Sequence, residues 1–274
     1  MSSQNSLNGE IREQMKKMKD MSLKGKISHL WTYYKFHAAI AIIAIAFVSS
    51  IIYNYATYKD TVLYAIFVNA SMPYMDGSEL SSEFEQFAGI DTNKYQAYFD
   101  FSFMISDTIS IVDTASTNEK LAAMTYARTA DVFIADSAVF EYYAQREYFA
   151  NLENVLPKEV LEEYKDYLYY TDVSTIITSV DEIILEDVEI TGLESNNMIN
   201  ENDTNVINHR DPSSMKKPVP VGIIVPKGSK ILEAGCYDYL TENEITYQGY
   251  QSEPVIGIFE YSQNIDMILK LLEF

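Results

Sequence analysis

Near the start of this chain, residues 38–56 (AAIAIIAIAFVSSIIYNYA) contain no charged side chain, and no other feature constrains the fold as strongly. A helix rises about 1.5 Å per residue, so about 20 apolar residues cross a hydrocarbon core of about 30 Å. The run is close to that length. Trp31, Tyr33, Tyr34 and Phe36 precede it, and Tyr53, Tyr55 and Tyr58 close it. Amphipathic rings favour the two membrane–water interfaces. A buried core helix would be as apolar, but the aromatic flanks and a basic leader argue against it. A cleaved signal peptide has an apolar core of about 7–15 residues behind a short basic region. Here 37 residues come first and the run is longer. The expectation is a basic cytoplasmic tail over 1–37, a transmembrane helix over 38–57, and an outer domain over 58–274.

Charge supports that orientation. Seven of the 20 basic residues but only three of the 40 acidic ones lie before Ala38. Basic residues stay on the cytoplasmic side, which puts the N-terminus in the cytoplasm and the rest outside the cell membrane. The basic stretch 15–26 could also lie on anionic lipid, or serve only as a topology signal. The outer part is strongly acidic and repels phosphate backbones, so no nucleic-acid partner is expected. A hydrophobic content of 47% excludes wholesale disorder and allows a sizeable core.

Several chemistries are excluded. Cys236 is the one cysteine, so neither an intrachain disulfide nor a cysteine-rich zinc site can form. Its surroundings (ILEAGCY) read as a helix face with a buried structural thiol. The histidines are His29, His37 and His209, and the first two fall on the cytoplasmic side. No multi-histidine metal site is available outside, and His209 sits in a polar stretch. The nucleophile elbow, the phosphate-binding loop and the His-Glu-x-x-His motif are all missing. Acid pairs such as Glu186-Asp187 are expected by chance in so acidic a chain. The expectation is no enzyme, no metal and no cofactor.

The outer part alternates strand and helix patterns. Residues 62–68 (VLYAIFV) form a continuous apolar run, as in a strand buried on both faces of a parallel sheet. Asp76 with Glu79 forms a capping pattern before a helix with Leu80, Phe84 and Phe87 on one face. Over 95–103 strict alternation puts Tyr95, Ala97, Phe99, Phe101 and Phe103 on one side. Ser116 and Glu119 form a second capping box. A third strand, 131–135, runs into Asp136, and Asp136 or Ser137 can cap a helix over 138–148. Pro157 opens a helix with Val160, Tyr164, Tyr167 and Leu168 on one face. This order predicts a parallel α/β sheet.

Beyond it, 173–190 predicts two or three strands, and 192–217 a flexible polar loop. Pro218 and Pro220 place the start of a strand over 218–225 at an edge or crossover. A helix over 229–240 despite Gly235, a strand over 255–261, and a helix with Ile265, Ile268, Leu269 and Leu272 on one face complete the chain.

Ligands of open α/β sheets gather at the carboxyl ends of parallel strands. Those ends offer Asn69 and Ser71 after the first strand, and Asp136 and Ser137 after the third. If the two strands are neighbours, Asn69 and Asp136 lie close together. Asp136 can accept hydrogen bonds from a small polar ligand beside a helix N-terminus, or it can simply cap that helix. Asn69 has the same two readings, since Asn is common in turns. Tyr142, Tyr143, Tyr169 and Tyr170 offer stacking surfaces, or fill half-buried faces.

The segment 119–156 (EKLAAMTYARTADVFIADSAVFEYYAQREYFANLENVLP) resembles the extracellular solute-binding proteins with the type 2 periplasmic-binding fold. A helix beginning near Lys-Leu, an "Asp-Val-hydrophobic" strand, an aromatic-rich helix and a "Phe-x-x-Leu" turn carry the likeness. Residues 218–240 (PVPVGIIVPKGSKILEAGCYDYL) and the terminal helix 264–273 resemble the family's returning strand and C-terminal helices. The arrangement is similar to membrane-anchored proteins of Gram-positive bacteria, with a transmembrane helix in place of the lipobox cysteine. The resemblance implies two α/β lobes around a cleft, the second open to reduction because the domain is short for the family. It also implies a membrane-tethered solute-binding or solute-sensing role, with a membrane transporter as candidate partner. The alternative is an interaction or scaffold protein that keeps the fold without a ligand cleft.

Overall fold

In a computed structural model the described residues are 22–71, 77–105, 111–175 and 207–274. The tail before residue 22, the Asp76 cap, most of the strands expected in 173–190 and the loop up to residue 206 lie outside them. The chain divides into two units, residues 1–58 and 59–274.

The first unit is a single helix, α1 (Leu23–Thr57). It contains a stretch, Lys35–Thr57, long and apolar enough to cross a membrane. Its apolar side chains, including Ile43, Ile45 and Phe47, are exposed within the unit. The helix begins well before the uncharged run, so residues 23–37 of the expected tail are helical too.

The second unit is built on a six-stranded sheet in the order β2-β1-β3-β8-β5-β4. The strands are β1 (Asp60–Val68), β2 (Tyr95–Phe103), β3 (Val132–Asp136), β4 (Leu168–Asp172), β5 (Pro218–Ile224) and β8 (Pro254–Ile258). β1 pairs in parallel with both β2 and β3, while β8, β5 and β4 pair antiparallel. The sheet is therefore mixed, not parallel throughout. The parallel half comes from the strands separated by helices, α2 (Gly77–Ala88) and α3 (Ile111–Ala127). Such crossovers keep strand direction, as expected for βαβ units.

β1 is covered on both faces. Leu63, Ala65 and Phe67 enter one hydrophobic cluster with Leu80 and Phe84 of α2, Ile231, Leu240 and Ile268. Ile66 and Val68 enter the other, with Leu121 of α3 and Phe140. Each fully buried Leu, Ile, Val or Phe side chain among these contributes about 1.5–3 kcal/mol.

Several expectations change. The alternation in β2 breaks at a bulge, because Ile66 pairs with Asp100 while Val68 pairs with Phe103. The extra residue on β2 flips the strand's facing, so Phe103 joins the cluster opposite that of Ala97 and Phe99. Ser116 lies inside α3, whose start at Ile111 precedes the supposed capping box. Leu168 opens β4 and does not continue the helix α6 (Lys158–Glu163), which ends in a short 3-10 turn. The expected helix over 229–240 is two, α7 (Lys230–Glu233) and α8 (Asp238–Glu242), parted at Gly235 with φ +75°. β5 is an interior strand. Pro218 opens it, and Pro220 pairs with Tyr170 beside a register shift, positions that spare a missing N–H.

A short helix α5 (Leu152–Val155), the hairpin β6 (Thr246–Tyr247) and β7 (Tyr250–Gln251), and a terminal helix α9 (Ile265–Glu273) complete the unit.

Candidate functional site

The parallel pairing of β1 and β3 brings their carboxyl ends together, and with them Asn69 and Asp136. Asn69 has φ +56°, a left-handed conformation that Asn tolerates better than most residues. Its amide clasps Ile105: Nδ2 donates to the Ile105 carbonyl at 2.6 Å and Oδ1 accepts from the Ile105 N–H at 2.7 Å. The Asn69 amide also lies near enough to the Asp136 carboxyl to favour its charged form.

Asp136 is the N-cap of α4 (Ser137–Ala144), accepting from the Ala138 and Val139 N–H groups at 3.0 and 3.2 Å. It is only 3% exposed. Burial pushes its carboxyl above the usual range, and the donors from Val139, Ala138 and Asn69 offset part of that. Ser137 donates Oγ–H to the Glu253 carbonyl at 2.9 Å, and its own N–H reaches Ser252 Oγ. Ser71 donates through N–H to the Cys236 carbonyl at 2.8 Å. All four residues chosen from the sequence thus bond to this chain's own groups. Residues 235–237 and 252–253 lie against the edge, and the Tyr237 hydroxyl donates to the Ile134 carbonyl at 2.8 Å. Burial pushes the Cys236 thiol up to about 12, in keeping with the structural role expected of it.

Beside Asp136 the structure assembles a second polar group. Glu141, on α4, is 6% exposed. Its Oε1 accepts from Thr171 Oγ1 and Gln145 Nε2, both at 2.7 Å. Its Oε2 lies 3.6 Å from His209 Nδ1 and has no hydrogen-bond partner among the described residues. Burial pushes this carboxyl up as well, against the opposing pull of His209.

His209 is buried, so the polar stretch 207–211 is pinned against the sheet. The Tyr170 N–H donates to the His209 carbonyl at 2.8 Å, and His209 Nδ1 lies 2.8 Å from the Tyr170 carbonyl. The imidazole stacks on Tyr169 and, at a longer distance, on Tyr247. Nε2 has no partner among the described residues. Burial, with Glu141 and Asp136 nearby, pushes the Tyr247 hydroxyl up to about 12 and Tyr169 well above its ordinary range.

Of the tyrosines considered for stacking, Tyr169 belongs to this group. Tyr170 contributes its backbone. Tyr142 holds the Arg146 guanidinium 3.5 Å above its ring, and Tyr143 is buried against Phe133. Glu141 had a signal in the sequence: it shares an i, i+4 face with Ser137 and an apolar flank with Phe140 and Ala144, an unusual place for an acid. His209 and Tyr247 had none, because only the tertiary fold brings them to α4.

No family model matches the chain, and no curated protein sequence matches it. A solved structure to which it is similar is the ABC substrate-binding protein Lmo0181 from Listeria monocytogenes in complex with cycloalternan. The identity is 12% and the TM-score 0.32, over 79% of this chain and 75% of that one. A likeness this distant carries no weight for the site.

Proposed function

We propose that this chain is a membrane-anchored solute-binding or solute-sensing protein. Its ligand site would be the polar group at the carboxyl edge, Asn69, Asp136 and Ser137, extended by Glu141 and His209. One observation carries the reading: the buried atoms Glu141 Oε2 and His209 Nε2 make no hydrogen bond among the described residues, in a group whose two carboxylates, Glu141 and Asp136, are pushed up by burial. An unsatisfied buried polar atom costs about 1–3 kcal/mol, and a polar solute would supply the missing partners. The role is binding, without catalysis, metal or cofactor. The apolar stretch of α1 would anchor the chain in the bilayer, with its basic N-terminal side cytoplasmic, the acidic unit outside and a membrane transporter as candidate partner.

The scaffold reading has its own support in the bonds that Asn69, Ser71, Asp136 and Ser137 make to this chain. A thermal-shift screen of the full-length chain against sugars, amino acids, peptides and metal ions separates the two. Stabilisation by one solute class, lost in Glu141→Gln, is the expected result. A flat screen with a folded wild type would leave the scaffold reading standing instead.

A further inference from the structure

The place that His209 fills has the chemistry of a recognition slot. Its ring lies 4.5 Å from Tyr169 by centroids, 6° from parallel, and 5.8 Å from Tyr247 at 25°. Glu141 Oε2 stands 3.6 Å from the ring nitrogen. Two π faces with a carboxylate at the rim suit a flat nitrogen cation: the faces attract positive charge and the carboxylate accepts its N–H.

The electrostatics agree for Glu141, since burial pushes its carboxyl up and a cation in the slot opposes that shift, as His209 does. The slot's occupant arrives on a short segment outside the sheet. Besides the two bonds to Tyr170, that segment is held by Ile207 N–H to Gln248 Oε1 at 2.9 Å, by Arg210 Nη1 to the Asp166 carbonyl at 2.9 Å, and by the exposed Arg210–Glu253 pair. An exposed pair of this kind is worth little, so its hold on the segment is weak.

We propose that the slot formed by Tyr169, Tyr247 and Glu141 is a binding site for a planar nitrogen cation of imidazolium, amidinium or guanidinium type. His209 is its built-in occupant, and an external ligand binds by displacing residues 207–211. The inference rests on the solute-binding reading and names the ligand class for it.

The test uses the full-length chain in detergent, with imidazole and benzamidine as free cations, a Gly-Arg-Gly peptide as a side-chain source, and toluene as an apolar control. His209→Ala should lose thermal stability and regain it with imidazole or benzamidine but not with toluene, and the double variant with Glu141→Gln should bind at least about tenfold more weakly. The wild type should bind the same cations more weakly than His209→Ala, because His209 competes. Rescue by the peptide but not by the free cations would identify a protein-borne ligand of the same chemistry. Restoration by toluene as well as imidazole would show a plain cavity and overturn the proposal.

Should His209→Ala fail to fold, hydrogen exchange on the wild type decides. Benzamidine should speed exchange at the Tyr170 and Ile207 amides, and unchanged exchange at millimolar benzamidine overturns the proposal. A wild type stabilised by sugars or another class, with no response to any planar cation, sinks this inference and leaves the solute-binding reading intact. A wild type that binds nothing sinks both.

Discussion

Asn69 and Asp136, 67 positions apart in the sequence, meet at the carboxyl ends of the parallel strands β1 and β3, where the Asn69 amide favours the charged form of the Asp136 carboxyl. Asp136 also caps α4, so one carboxylate ties the end of β3 to the start of a helix. Asp136→Ala should cost about 1–2 kcal/mol, the cap alone accounting for about 1. Asp136→Asn keeps an acceptor without a buried charge and should cost less than half as much. Urea denaturation of both variants checks this, and equal losses would show that the cap is not what the carboxylate supplies.

Glu141 makes stability depend on pH with a definite sign. Burial raises its folded-state pKa above the unfolded value near 4.5. Its contribution is therefore fully present below that value and lost as pH rises through the folded-state pKa. Asp136 acts in the same sense. Glu141→Gln mimics the neutral form, so its stability should fall less steeply than the wild type's as pH rises above 4.5. Parallel stability curves for the two proteins would contradict this.

Asp172 has the opposite sign. Desolvation raises its carboxyl, but donors from Ser174 and from the Lys216 and Lys217 N–H groups outweigh it and hold the pKa down to about 2. That stabilisation is present above the unfolded value of 3.8 and lost as pH falls through about 2. Asp172→Ala should cost about 1–2 kcal/mol at neutral pH, allowing for screening, and almost nothing at the acid end. Chemical denaturation at both ends of that range measures the difference.

Gly222 and Gly257 face each other across β5 and β8, beneath the stacked rings of Phe140 and Phe149. A Cβ at Gly257 would lie 2.7 Å from Phe140 and 2.9 Å from Phe149, and one at Gly222 would lie 2.7 Å from Phe140. Gly257→Ala should cost about 1–3 kcal/mol by overpacking. Adding Phe140→Leu should cost less in the Gly257→Ala background than in the wild type. Strict additivity would show that the glycines do not make room for the ring.

The orientation proposed for the chain predicts a labelling pattern. In a Cys236→Ala background on intact cells, a cysteine replacing Glu260 should react with an impermeant maleimide, and one replacing Asp20 should not. The reverse pattern would put the acidic unit in the cytoplasm.

Residues 38–56 needed no tertiary information to be read as long and apolar enough to cross a membrane, because that test asks only for length and composition. The continuous run 62–68 likewise announced a strand covered on both faces, and Asp136 announced its cap, since both are matters of local pattern. The bulge that turns Phe103 to the opposite face was not legible, because it depends on how β2 registers against β1. The antiparallel β8 between β3 and β5 was not legible either, since pairing between distant strands leaves no periodic trace in either of them. His209 shows the limit most plainly: alone in a polar stretch it reads as a loop histidine, and only the packing of 207–211 against β4 and the hairpin stacks it on two tyrosines beside a buried glutamate. Burial, ring stacking and charge partnership belong to the space around a side chain, and that space is set by residues tens of positions away.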